Sequence, residues 1–316
     1  MRKRCLITRE QVEPVLDALR ESFDLTVGRD PLDEAAAAAA LREYDAIVPT
    51  LGDRFSAAAF EAAGEIRCGV LANFGVGYNH IDVEAARAHG VAVSNTPDVL
   101  TDATADIGLL LMLGTARRAS EGERLVRAGE WKGFGPKGML GTDVSGKVLG
   151  VAGFGRIGRA VARRGHLGFG MEVLYWNRSA KDPGFPVEKV ETLEEMAARV
   201  DFLVVCLPGG RDTAGVVGAG VFAAMKREAI FVNIARGEIV DETALIEALE
   251  SGAIAGAGLD VYEKEPFVPE RLRACERCFL LPHLGSATVE TRIAMGMVAV
   301  ANARAWAEGR DLPQAV

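Results

Sequence analysis

Residues 148–164 read VLGVAGFGRIGRAVARR. Val148 to Ala152 form an apolar run of strand character, Gly153, Gly155 and Gly158 follow with G-x-G-x-x-G spacing, and a helical pattern opens at Arg156. The first glycine permits a tight turn. The second removes the side chain that would keep a pyrophosphate off the backbone, and the third lets the helix pack close to the strand. The helix then presents free N–H groups and the positive end of its dipole to the phosphates, which places Arg156 and Ile157 beside them. Glycines at this spacing also occur in plain strand-to-helix turns; a strand before and a helix after supply the context of a dinucleotide-binding unit.

A second βα series extends from this motif to the C-terminus, with strands expected in EVLYW, FLVVCLP, AIFVNI, AGAGLDV and FLLPH and a final helix over Val289–Ala307. A first series precedes it. CLIT, AIVPT, CGVLA and VAVSN are strand-like and alternate with helical patterns around 12–19, 32–41, 55–63 and 83–88. Alternation of this kind gives parallel sheets with right-handed crossovers. Residues 100–118 read as one long apolar helix, and the Gly-rich, aromatic stretch GEWKGFGPKGMLGTD after it reads as an arm. The chain of 316 residues therefore suits two α/β lobes, with the substrate meeting the cofactor in the cleft between them.

Composition narrows the partners. A net charge of −8 and the lack of a long basic run argue against a nucleic-acid surface. The basic start MRKRCLITRE has no apolar core of a signal peptide, and the run IGLLLMLGTA is too short to span a membrane. Five cysteines argue for a reducing cytoplasm over a disulfide framework, and the single C-x-x-C at Cys275 and Cys278 lacks the second pair of a zinc site, so no metal is expected.

Polar residues of catalytic type sit at the ends of the second-series strands, the edge that faces ligand in open α/β sheets. Arg236 follows FVNIA, Asp260 and Glu265 lie in GLDVYEKEP, and His283 lies in LLPHLGS. Together they suit hydride transfer to a carbonyl. An Arg would orient a 2-keto acid by its carboxylate, a His would donate the proton, and a carboxylate would orient the His and favour its charged form.

NFGVGYNHID, TADIGLLLMLGTARR, VAGFGRIG, NIARGEIVDETAL, GLDVYEKEP and PHLGSAT, in this order, resemble the D-isomer-specific 2-hydroxyacid dehydrogenases, of the glyoxylate and hydroxypyruvate reductase type. The resemblance implies two doubly wound parallel-sheet domains, a flavodoxin-like substrate domain (1–98 plus 288–316) and a Rossmann cofactor domain (99–287). It implies Arg236, Glu265 and His283 as the catalytic set, with His283 the general acid. Leu51, Gly52, Val76, Gly77 and Ser286 would join Arg236 in holding substrate. Thr104, Leu207, Pro208, Thr213, Ile234, Ala235, Asp260, His283 and Gly285 would line the cofactor cleft, with Asp260 on the nicotinamide amide. The arm over 119–145 would embrace a second subunit, giving a homodimer, and Trp131 or Phe134 would pack in that interface or reach the partner's active site.

Departures from the family pattern refine the substrate. Glu265 stands where formate dehydrogenases of the superfamily carry Gln, which points to acid–base chemistry, and Val76 where phosphite dehydrogenases carry Lys. A C-terminal regulatory domain like that of the long phosphoglycerate dehydrogenases is not expected. A small 2-keto acid such as glyoxylate or hydroxypyruvate is the expected substrate. Another acid such as 3-phosphoglycerate, or a dinucleotide-sensing corepressor-like role without catalysis, is the alternative. After the second strand of the cofactor domain, where NAD-preferring enzymes place an acidic residue, the chain reads LYWNRSA. Asn177 removes the acid, and Arg178 and Ser179 offer contacts to a 2′-phosphate, so NADP(H) is expected to be preferred and NAD(H) to remain usable.

Overall fold

A computed structural model of the chain describes residues 2–316. They divide into two compact units, one running up to Leu100 and completed by Ala287–Val316, the other Thr101–Ser286.

In the first unit, β1 (Arg4–Ile7), β2 (Asp24–Val27), β3 (Ala46–Val48), β4 (Val70–Ala72) and β5 (Ala92–Ser94) form a parallel sheet in the order β2-β1-β3-β4-β5. This is the flavodoxin-like order, with its reversal between β1 and β3. Helices α1 (Glu13–Ser22), α2 (Glu34–Glu43), α3 (Ala57–Ala63) and α4 (Val83–Ala88) make the crossovers. Asp33, Ser56 and Asp82 start three of them by accepting the N–H of Ala36, Ala59 and Ala85, the usual service of a short polar cap. The alanine run belongs to α2, where Ala37, Ala38, Ala40 and Leu41 are buried against the core that also holds Phe55 and Phe60. The last helix, α12 (Val289–Ala307), closes this unit; a Cβ on its Gly296 would lie 2.2 Å from Val15 of α1, so the two helices meet backbone to side chain.

The second unit carries β6 (Val148–Ala152), β7 (Glu172–Trp176), β8 (Glu188–Lys189), β9 (Phe202–Val205), β10 (Ile230–Asn233), β11 (Gly256–Leu259) and β12 (Cys278–Leu280), all parallel, in the order β12-β11-β10-β9-β6-β7-β8. Counted from β6, this is the doubly wound Rossmann order, reversing between β6 and β9. The side-chain alternation of strands divides the core in two: Phe202, Val204, Ile230 and Val232 pack on one face and Leu203, Val205 and Phe231 on the other. Helices α5 (Thr101–Ala116) and α7 (Arg156–Phe169) cover the first face, and α8 (Leu193–Arg199), α9 (Ala219–Ala224) and α10 (Glu242–Ser251) the second. A short α11 (Glu270–Arg273) precedes β12.

The long helix expected over 100–118 ends at Ala116. Arg118 takes a left-handed conformation (φ 53°), and a separate α6 (Ala119–Arg127) begins. The stop is tertiary. The returning chain places Thr142 N–H on the Ala116 carbonyl, and Gly141 approaches so closely that a Cβ there would lie 2.3 Å from that same oxygen. Beyond α6 the residues to 145 have no regular structure, as the arm reading expects. No helix of the described residues is long and apolar enough to cross a membrane.

Candidate active site

The loops at the carboxyl edge of the second sheet follow one another in the order of their strands. After β6, Gly153 adopts φ 93° and backs onto the next loop, where a Cβ would meet Cys206 and Leu207 backbone atoms at 2.7–2.8 Å. A Cβ on Gly158 would lie 2.0 Å from the Gly153 carbonyl oxygen, so the first turn of α7 sits directly against the glycine loop. A Cβ on Gly155 would meet nothing within 4 Å. The backbone is open at that point, and Gly155, the N-cap of α7, supplies no side-chain cap. An open approach to uncapped helix N–H groups is what a phosphate needs. The residues present therefore fit a dinucleotide.

At the end of β7, Asn177 is half-buried. Its Oδ1 accepts the Phe154 N–H at 3.2 Å and its Nδ2 donates to the Ser179 carbonyl at 2.9 Å. One amide thus ties the glycine loop to the turn that carries Arg178 and Ser179, both of them exposed. After β9, Leu207 is buried, and the Thr213 hydroxyl donates to the Pro208 carbonyl at 2.6 Å.

Three strands place the polar set. Asn233 ends β10 in the core and shapes the turn beyond it, its Oδ1 accepting from Ala235 N–H and its Nδ2 donating to the Arg236 carbonyl at 2.9 Å. Arg236 stands on this turn with its stem against Gly209. One guanidinium nitrogen donates to the Ala235 carbonyl, while Nε is buried with no acceptor among the described residues. Burial lowers the Arg236 pKa, with Glu265 and Glu238 drawing it back up; a guanidinium nonetheless stays charged at any ordinary pH. A half-buried cation with an unused buried donor is a receptor for an anion or a carbonyl oxygen.

His283 follows β12 and takes a left-handed conformation, φ 55°. Such backbone persists only where its surroundings hold it. Here Asp260, buried after β11, provides the hold: its carbonyl accepts from His283 N–H, and its two carboxylate oxygens accept from Leu284 N–H at 2.6 Å and Gly285 N–H at 2.8 Å. Burial raises the Asp260 pKa against the pull of those two donors. Thr104 lies alongside, since a Cβ on Gly285 would be 3.3 Å from both Thr104 and Asp260. Asp260, expected on the nicotinamide amide, thus has both oxygens engaged by the loop that carries the His.

His283 Nδ1 donates to Glu265 Oε2 at 2.8 Å; a carboxylate only accepts, so the proton is on Nδ1 and Nε2 is the nitrogen left for chemistry. Glu265 Oε1 accepts the Tyr262 N–H at 3.1 Å. Burial would raise the Glu265 pKa, but the His283 bond, the Tyr262 N–H and the charge of Arg236 outweigh it, and the carboxyl titrates below its usual range. Arg236, Glu265 and His283 therefore form one electrostatic group.

In the first unit, Leu51, Gly52, Val76 and Gly77 lie on the loops after β3 and β4. Asp53, fully buried, fixes the first loop by accepting from Thr8 Oγ1, Thr50 N–H, Leu32 N–H and Arg9. In the second, the Gly75 and Gly77 carbonyls accept from Asn73 Nδ2 and the Val76 carbonyl from Asn95 Nδ2.

Residues 109–285 match the family model of the D-isomer-specific 2-hydroxyacid dehydrogenase NAD-binding domain. Over its full length the chain is 43% identical to the glyoxylate reductase of Thermococcus kodakarensis, of which it covers 96%. The chain belongs to the D-isomer-specific 2-hydroxyacid dehydrogenases. Solved structures agree. The NADPH-dependent glyoxylate/hydroxypyruvate reductase of Sinorhizobium meliloti, in complex with NADP and malonate, superposes with a TM-score of 0.89 at 38% identity, covering all of this chain and 97% of that one. A glyoxylate reductase from Paecilomyes thermophila gives 0.88 at 34%, covering all of this chain and 98% of its own.

As a member of this family the chain takes a nicotinamide dinucleotide in the domain that β6–β12 build. Sequence reasoning passed over Asp53, and quoted Asn73, Asn95, Asn233 and Tyr262 within longer stretches without giving them a role. A common signal ran through the strand ends: Asn73, Asn177, Asn233 and Asp260 each stand directly after, or last in, a buried apolar strand. A short amide or carboxylate there can reach the loop that follows and hold it.

Proposed function

We propose that this protein reduces a small 2-keto acid, glyoxylate or hydroxypyruvate, to the D-2-hydroxy acid, preferring NADP(H). The bound nicotinamide supplies the hydride. Arg236 receives the carbonyl oxygen and carboxylate, and its charge stabilises the oxygen as negative charge develops on it. His283 donates the proton from Nε2, while Glu265 fixes the ring through Nδ1 and stabilises the imidazolium. The Val76 and Gly77 amides hold the substrate carboxylate, with Leu51, Gly52 and Ser286 beside it. Glycine-loop amides take the pyrophosphate, and Arg178 and Ser179 take the 2′-phosphate. The observation that carries this reading is the 2.8 Å His283–Glu265 bond with Arg236 in the same electrostatic group. A corepressor-like protein would have no use for that set. The first unit acts as the substrate domain and the second as the cofactor domain of a cytoplasmic homodimer formed through the arm. The test is NADPH and NADH oxidation followed optically with glyoxylate, hydroxypyruvate and phenylpyruvate. Turnover of the two small acids, fastest with NADPH, is expected; phenylpyruvate as the best substrate would overturn the reading.

A further inference from the structure

The loop after β4 carries an unusual concentration of side-chain to main-chain bonds. Asn73 Nδ2 donates to two carbonyls at once, Gly75 at 3.0 Å and Gly77 at 3.1 Å, and Asn95 Nδ2 donates to the one between them, Val76, at 2.9 Å. Thr96 N–H adds a second donor to the Gly75 carbonyl. Three successive carbonyls are thus drawn toward the ends of β4 and β5. In a trans peptide the N–H points opposite to the carbonyl of the same unit. The amides of Val76, Gly77 and Tyr78 are therefore turned away from the protein body, and none has a protein acceptor among the described residues. Consecutive outward amides make a concave site for an anion.

Nothing in the strand pairing requires this arrangement. Asn73 is completely buried, and its Oδ1 has no partner among the described residues, an arrangement that costs stability. Asn95 is held in turn, its own N–H donating to the Gln314 carbonyl, and Gln314 is pinned to the buried Asn302 of α12 by bonds in both directions.

We infer that Asn73 and Asn95 are positioning residues that fix the Val76–Tyr78 amides as a preformed cradle for the carboxylate of the 2-keto acid. The inference rests on the reductase reading above and adds two residues that touch no substrate atom. Preset donors need no reorganisation when the anion arrives, so their effect falls on binding of the acid group.

The experiment compares Asn73→Ala and Asn95→Ala with the unaltered protein, reading KM and kcat for glyoxylate, KM for NADPH, and Ki for oxamate, an unreactive isostere bearing the same carboxylate. The expected result is a rise of about tenfold in glyoxylate KM and an equal rise in oxamate Ki, the worth of one charge-assisted hydrogen bond, with kcat and NADPH KM within about twofold of their starting values. Unchanged glyoxylate KM and oxamate Ki in folded variants overturn the inference. So does a parallel loss in kcat and NADPH KM, which is the mark of general distortion. Asn73 is buried and its variant can fail to fold; Asn95 is only half-buried, and its variant then decides alone. Absence of glyoxylate reduction in the unaltered protein would instead strike the reductase reading, so the two failures are distinguishable.

Discussion

At the scale of single residues, the His283–Glu265 pair makes the sharpest demand. His283→Asn is expected to lower kcat by about 10²–10⁴ while leaving NADPH binding near its original strength, the usual effect of losing a positioned general acid. Near-normal turnover in steady-state assays would remove that role. Glu265 titrates below the usual carboxylate range, so it remains charged through neutral and mildly acid pH. Glu265→Gln removes the charge that stabilises the protonated ring, so the pH above which reduction declines should move downward; a profile that stays in place would separate the two residues. On the proposed NADP(H) preference, Arg178 and Asn177 would govern cofactor choice. Arg178→Ala should raise NADPH KM by about tenfold with little effect on NADH, and equal losses for both cofactors would deny the contact to the 2′-phosphate. Asn177→Asp keeps the acceptor for Phe154 N–H, loses the donor to Ser179, and should move preference toward NADH. Of the polar groups proposed to carry chemistry, Arg236 and His283 were legible because each stands just after an apolar strand, and Glu265 through the GLDVYEKEP motif. The groups that position them were not, because a side chain bonded to a backbone carbonyl two or four residues away, as in Asn73, leaves no periodic trace.

At the scale of elements, the glycine motif separates into parts that fold the domain and a part that receives ligand. Gly158→Ala drives a methyl group to 2.0 Å from the Gly153 carbonyl, a backbone atom that cannot yield. Overpacking of this kind costs roughly 1–3 kcal/mol, so the variant should melt several degrees lower. Gly155→Ala meets nothing in the protein. It should melt normally and lose cofactor affinity, because the methyl group stands where the pyrophosphate approaches. If calorimetry and cofactor titration gave the opposite assignment, the loop would have been read backwards. The elements that sequence reasoning missed are those whose cause lies outside their own residues. Edge strand β2 has no buried residue, Leu25 alone being half-buried, and β8 is two residues long; both pair in parallel with a neighbouring strand that offers hydrogen bonds. The break between α5 and α6 comes from Thr142 and Gly141, which are distant along the chain. By contrast β6, α7 and α12 are specified by their own residues, β6 by an unbroken apolar run, α7 by an amphipathic pattern after the glycine motif and α12 by a long run of helix formers behind its Thr288 cap, and each was legible.

At the scale of the whole molecule, the segment that belongs to neither sheet carries the remaining question. Helix α6 has no buried residue, and beyond it Trp131 and Leu140 are mostly exposed, with Phe134 91% exposed. Water-facing apolar side chains this large, collected on one arm, are what the second subunit of the proposed dimer would cover. In a two-fold dimer each would be buried twice. At roughly 1.5–3 kcal/mol per large apolar side chain, the set contributes on the order of 10 kcal/mol, enough to decide between dimer and monomer at micromolar concentration. If the proposed dimer forms through the arm, a chain carrying Trp131→Ser, Phe134→Ser and Leu140→Ser together should sediment as a monomer while the unaltered chain sediments as a dimer, with the far-ultraviolet spectrum unchanged because residues 128–145 contribute no regular structure. The single variants Trp131→Ala and Phe134→Ala resolve what the aromatics do in a dimer that survives. If one of them enters the partner's active site, its loss raises glyoxylate KM without altering the sedimentation coefficient; if both serve only the interface, KM stays fixed while the dimer weakens. A triple variant that remains a dimer would show that subunits meet through some other surface and that the arm serves another purpose.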